Sequence, residues 1–193
     1  MEIDFILQVT TRKQFRKWLQ ENANTKKQCW VLTKRATESG TLNKTMDYLD
    51  AVEEAMCFGW IDSTIKKVSE TQLAQRMSPR RQKSQWSELN KERVRRLEQL
   101  GLMTDQGREC CPDLSQDSFT IDEEVMKAIQ NDKVVYENFK KFPELYQRVR
   151  IDTIQIKKKQ PELFQKRLDK FIENTRENKM YGGWNDSGRL INY

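Results

Sequence analysis

Within thirteen positions, the stretch Ser78–Asn90, SPRRQKSQWSELN, holds three cations (Arg80, Arg81 and Lys83), one indole (Trp86) and the hydrogen-bonding side chains of Ser84, Ser87 and Asn90. A guanidinium offers paired N–H donors that match a carboxylate or a phosphate, and hydroxyl and amide groups complete such a cradle. Upstream, Trp60 and Asp62 in WID add a second indole and a carboxylate. Together these types suit recognition of a small anion in an aromatic-walled pocket. Other chemistry is removed by composition. The chain has no histidine, so imidazole-based Ser-His-Asp or Cys-His catalysis has no material. There is no CxxC and no GxGxxG or GxxxxGK[ST] phosphate loop, so a Cys/His zinc site, a thioredoxin-type pair and the common nucleotide cradles drop out as well. No cofactor and no metal is called for.

For each candidate a plainer role stands beside the functional one. Trp60 and Trp86 suit core positions, Asp62 can pair with Arg80 to hold a loop, and Ser87 with Asn90 can do no more than cap a helix.

The elements that would position these groups follow from local patterns. TTRKQFRKWLQEN places Phe15, Trp18 and Leu19 at helical spacing behind a Thr11 cap, and the β-rich run Gln28–Arg35 predicts a strand. A turn is expected between Gly40 and Asn43. DYLDAVEEAMCFG predicts a helix capped by Asp47 and closed by a left-handed Gly59. WIDSTIKKV and TQLAQRMS alternate as an antiparallel pair, with Ile61 and Ile65 on one face and Leu73 and Met77 on another. Leu89, Val94, Leu97 and Leu100 then recur at helical intervals to Gly101, so SPRRQKSQW enters a helix N-terminus, whose unpaired N–H groups favour an anion.

Past Gly107, GRECCPDLSQDSFT reads as an acidic, turn-rich linker over residues 108–119. Thr120 and Glu123 form a T-x-x-E capping box ahead of Ile121, Val125, Ala128 and Ile129. PELYQRV and PELFQKRL, eighteen residues apart, predict two antiparallel helices over Leu145–Lys158 and Glu162–Asn178 with Pro at their starts. The tail, MYGGWNDSGRLINY, either drapes over the body or hangs free. The expected class is α+β: a small antiparallel sheet with flanking helices over residues 1–107, the linker, a helical module over 120–181 and an aromatic tail over 182–193.

The net charge of +6 is local rather than spread. Residues 76–99 carry eight cations and three acids, 140–170 carry ten and four, and 100–139 between them carry three and nine. Clustered Lys and Arg beside Trp86 permit nucleic-acid binding as an alternative, while solvated helix faces or internal pairing with the acidic segment explain the same pattern. An enzyme with an Asp62/Arg80 site is a further reading. No apolar run reaches the roughly 18 residues of a membrane span. The acidic start MEIDF is unlike a signal peptide, and four cysteines without disulfide spacing fit a reducing compartment. A cytoplasmic location is therefore expected.

DAVEEAMCFGWID, from Asp50 to Asp62, and SPRRQKSQWSELNKERVRRLEQLGLMTDQG, from Ser78 to Gly107, resemble the YdeI/OmpD-associated or bacteriocin-protection family, closely over residues 45–107 and more loosely over 143–181. Met56, Ser63, Ser78 and Gln85 stand where that pattern has Leu, Gly, Thr and Asn. The resemblance implies a bacterial protein with an α+β amino-terminal domain, a helical carboxy-terminal region and a role in stress or antimicrobial-peptide protection. It carries over no catalytic residue. The ligand-binding candidates read from the residues are Trp60, Asp62, Arg80, Ser84, Trp86, Ser87 and Asn90, with a small anion as ligand and a protein partner undefined.

Overall fold

The computed structural model describes residues 3–34, 45–70 and 72–193; the turn expected between Gly40 and Asn43, and Arg35 at the end of its strand, lie outside them. Two compact units divide the chain, the first made of residues 1–84 and 97–112, the second of 85–96 and 113–193. The architecture is α+β, a four-stranded sheet with helices followed by a helical region.

In the first unit the strands β1 (Ile6–Leu7), β2 (Cys29–Lys34), β3 (Trp60–Lys67) and β4 (Gln72–Pro79) form one sheet in the order β1-β2-β4-β3. The expected hairpin pairs antiparallel, from Trp60 opposite Pro79 to Lys67 opposite Leu73, and β2 joins β4 antiparallel with Cys29 opposite Met77. β1 adds a parallel edge that makes the sheet mixed. Two residues of strand have no periodicity to read, so β1 has no signature in the sequence. The register slips between Asp62 and Ile65. That slip breaks the alternation and leaves Ile65 exposed, whereas Met77 is buried on β4.

Helix α1 (Arg12–Asn22) starts where the Thr11 side chain accepts from the Gln14 amide, and it buries Phe15 and Leu19. Helix α2 (Tyr48–Cys57) starts at Asp47, whose carboxylate accepts from the Leu49 amide, and ends at Gly59 with φ +71°. Its acids have a role that patterning did not suggest. Glu53 and Glu54 are buried, and Arg12 donates to both while Arg16 donates to Glu54 at 2.9 Å. Burial alone would lower the Arg12 pKa, but the hydrogen bond and charge of Glu54, with Glu53 and Asp50, outweigh it and raise the value. Two cations on one helix thus neutralise two carboxylates on the next.

Past residue 97, the short helix α4 (Asp105–Glu109) occupies part of the stretch that composition marks as linker. Thr104 caps it and also donates its hydroxyl to the Cys57 carbonyl at 2.6 Å. A Cβ on Gly107 would stand 2.2 Å from that same carbonyl oxygen, so only glycine permits the approach.

Helix α3 (Glu88–Gln99) belongs to the second unit as far as Arg96. The rest of that unit comprises α5 (Glu123–Gln130), α6 (Lys133–Lys141), α7 (Glu144–Gln155) and α8 (Pro161–Arg176) around Val125, Ile129, Phe139, Tyr146, Ile154, Leu168 and Phe171. Asp122, not Thr120, caps α5, accepting from the Glu124 amide at 3.0 Å. Thr120 is drawn elsewhere, its carbonyl accepting from the Gln155 side chain at 3.0 Å. The tail drapes: Trp184 meets Tyr146 edge to face at 5.6 Å, Leu190 is buried, and the Tyr193 hydroxyl donates to Glu92 at 2.8 Å.

Candidate functional site

Trp60, Asp62, Arg80 and Ser84 belong to the first unit; Trp86, Ser87 and Asn90 belong to the second.

In the first unit Arg80 follows the last residue of β4, and its amide donates to the Gly59 carbonyl at 2.9 Å, continuing the β3–β4 pairing by one bond. Its guanidinium is buried at 7% exposure, with Nη1 donating to Ser84 Oγ at 3.2 Å. Between the two, Lys83 takes φ +60° and the Ser84 amide donates to the Arg81 carbonyl, a tight turn that folds Ser84 back onto Arg80. Its electrostatic neighbours include the Cys110 and Cys111 thiols and Asp62. Burial nevertheless dominates and lowers the Arg80 pKa.

Asp62 lies one residue before the slip in β3 and accepts from the Tyr48 hydroxyl at 2.8 Å. This tyrosine, not Arg80, is its hydrogen-bond partner. Trp60 is a core residue: 1% exposed, edge to face with Trp18 at 5.9 Å, with its indole N–H donating to the Ala23 carbonyl at 3.3 Å. At that burial it presents no face to a ligand.

In the second unit Ser87 acts as a cap, its hydroxyl accepting from the Asn90 amide at 3.3 Å. The Asn90 side-chain oxygen accepts from Arg93 Nη1 at 2.8 Å. Trp86 is half-buried just ahead of the helix. The cations of α3 that composition left open are engaged inside this unit, Arg93 with Asp186 and Arg95 with Glu92.

Residue-by-residue reading missed Tyr48 beside Asp62, and Cys110 and Cys111 beside Arg80. Tyr48 is fourteen positions from Asp62 and the two cysteines are thirty or more from Arg80, and no periodic pattern connects them; only the pairing of β3 with β4 and the return of the chain after α3 do. The two thiols are poor nucleophiles. Burial raises Cys110, and burial followed by the neighbouring Cys110 pushes Cys111 up to about 11. Burial likewise holds Cys29 and Cys57 up to about 12. Among the described residues no group of three or more His, Cys, Asp or Glu converges as metal ligands, and no helix is long and apolar enough to cross a membrane. The chemistry this cluster offers is a buried cation held by a hydroxyl, with a hydrogen-bonded carboxylate and two protonated thiols around it.

A sheet-bearing unit with a buried arginine, followed in sequence by a helical region, is thus a two-part α+β protein. Residues 7–110 match the family described as a domain of unknown function, DUF8412, and residues 118–178 match the family described as bacteriocin-protection, YdeI or OmpD-associated. The first match spans more than half of the chain, which therefore belongs to the DUF8412 family and bears a YdeI/OmpD-associated region after it in sequence. The blocks between Asp50 and Gly107 that carry the resemblance fall within the first match, while the YdeI/OmpD-associated match itself lies on the helical region. No curated protein and no solved structure matches the chain.

Proposed function

We propose that this is a bacterial, cytoplasmic protein that binds a small anion, a carboxylate or phosphate, at Arg80 and acts in protection against stress or antimicrobial peptides. One observation carries the binding half. Arg80 is a buried guanidinium that a tight turn brings onto the Ser84 hydroxyl, and these planar, paired donors suit a ligand carboxylate or phosphate. Ser84 would be the second donor to the ligand. Asp62, anchored by Tyr48, would orient the guanidinium through charge. The protection half is supported by the YdeI/OmpD-associated match, whose description names bacteriocin protection.

Site-resolved titration with acetate, followed by amide shifts at constant ionic strength, tests the binding half. The Arg80 and Ser84 amides should move saturably in the wild type, and the Ser84 response should vanish in Arg80→Gln. A variant that melts much earlier yet still gives the wild-type response would reduce Arg80 to a structural residue.

A further inference from the structure

The helical module holds a second group of cations with a different environment. Tyr181, just past α8, is half-buried, and the Arg150 guanidinium lies 5.3 Å and the Lys170 ammonium 5.2 Å from its ring centroid. Arg150 comes from α7; Arg167 and Lys170 come from α8, one helical turn apart, on the side that faces Tyr181. Arg167 spends one N–H on the Thr153 carbonyl at 2.5 Å, a backbone acceptor on α7 one turn beyond Arg150, and its charge reaches the Tyr181 phenol. Arg150 is pressed against the chain itself: Gly182 takes φ +74°, and a Cβ there would stand 2.6 Å from Arg150 Nη1.

Among the described residues, this group combines two arginines and a lysine around one ring with no ion pair to a carboxylate. Elsewhere in the unit Arg93, Arg95, Arg148, Arg176 and Lys158 are each ion-paired with a carboxylate. Among the described residues, Arg150, Arg167 and Lys170 pair with none, and Arg150 Nε is buried without a hydrogen-bond acceptor. Three like charges held around one phenol repel each other, and a buried guanidinium N–H lacking an acceptor is costly. An aromatic face moderates but does not cancel that charge.

We propose that Arg150, Arg167, Lys170 and the Tyr181 hydroxyl form a binding site for a phosphate-type oxyanion. Two guanidinium groups supply planar, paired donors, the ammonium supplies a mobile point charge, and the phenol adds a neutral donor. That donor set has no acceptor apart from the phenol oxygen, so it selects a fully deprotonated oxyanion over a neutral or cationic ligand. A multiply charged phosphate, free or on a lipid headgroup, answers three cations better than a single carboxylate does. The site belongs wholly to the helical module and does not depend on the role of Arg80.

The test compares the full chain with Arg150→Gln and Lys170→Gln. Inorganic phosphate is titrated at constant ionic strength while the Arg150 and Arg167 side-chain N–H signals and Trp184 fluorescence are followed. Flotation with vesicles of phosphatidic acid in phosphatidylcholine, against phosphatidylcholine alone, forms the second arm. Saturable phosphate binding read at these side-chain signals, and weakened about tenfold or more in Arg150→Gln and Lys170→Gln, supports the site with free phosphate as ligand. Flotation with phosphatidic acid that the same two variants lose, without a response to inorganic phosphate, supports it with a lipid headgroup as the source. Lys170 is exposed, so Lys170→Gln folds even if Arg150→Gln does not, and it reads out the site alone. Absence of both responses, or responses that Lys170→Gln leaves intact, overturns the proposal.

Discussion

Arg93 and Asp186, ninety-three positions apart, form a two-bonded ion pair in which Nε donates at 2.6 Å and Nη2 at 2.8 Å to the two carboxylate oxygens. Both side chains are almost wholly removed from water, and Asp186 holds a left-handed φ of +49° to make the contact. The pair fastens the tail to α3 within the second unit. Asp186→Asn leaves a buried guanidinium without its countercharge and should cost about 3 kcal/mol, read from the urea midpoint. Replacing both partners, Arg93→Met with Asp186→Leu, should recover part of that loss, because no buried charge then stands alone. An Asp186→Asn midpoint equal to wild type would show that the tail is not held by this pair.

Gly107 and Gly183 should respond in opposite ways to alanine. At Gly107 the added methyl meets the Cys57 carbonyl at 2.2 Å, and a backbone atom in a helix terminus cannot swing aside as a side-chain tip can. Gly107→Ala should therefore destabilise by about 3 kcal/mol or more, at or above the upper end of ordinary overpacking. At Gly183 nothing stands within 4 Å of the added carbon, so Gly183→Ala should stay within about 0.5 kcal/mol of wild type. Thermal melts of the two variants decide it, and equal shifts would mean that α4 does not pack against the end of α2.

Tyr193 links tail attachment to alkaline pH. Burial, then its hydrogen bond to Glu92 and that carboxylate's charge, push the phenol from its ordinary value of 10.0 up to about 12. The folded state thus favours the neutral phenol. Its contribution is complete below about pH 10 and is lost as pH rises through about 12. Limited proteolysis of the carboxy-terminal segment should accelerate across that window in the wild type. In Tyr193→Phe the acceleration should be missing, with the tail looser at every pH because Glu92 has lost a donor. Matching pH profiles for the two proteins would refute the linkage. Tyr146 is also pushed up to about 12 by burial, so the informative quantity is the difference between the proteins.

Much of the local architecture could be read from neighbouring residues. Thr11, Asp47 and Ser87 cap where their spacing to the first helical turn requires, and Gly59 closes α2 in the left-handed region as a glycine after a helical run does. The β3–β4 pair follows from two alternating runs with two residues between them. Thr120 marks where such reasoning stops. Its T-x-x-E spacing is sound, but Asp122 offers an equally good cap two positions later, and the contact of Gln155 with the chain at Thr120 and Asp122 settles the choice.

The candidate site divides the same way. That Arg80 and Ser84 share a turn is a short-range fact visible in SPRRQKS, and Ser87 with Asn90 as a cap is equally local. Which indole is core and which stands near solvent is not local. Trp60 is sealed by Trp18 and Ala23, thirty-seven or more positions earlier, and Asp62 finds Tyr48 rather than Arg80.

The amino-acid order alone thus determined caps, turns, strand alternation and the uneven charge, because each depends on groups a few bonds apart whose geometry the backbone restricts. Tertiary structure decided which charges are neutralised: Glu53 and Glu54 by Arg12 and Arg16, Arg93 by Asp186, and Arg150, Arg167 and Lys170 by no carboxylate among the described residues. Those outcomes depend on distances through space and on the removal of water, and chain separation encodes neither.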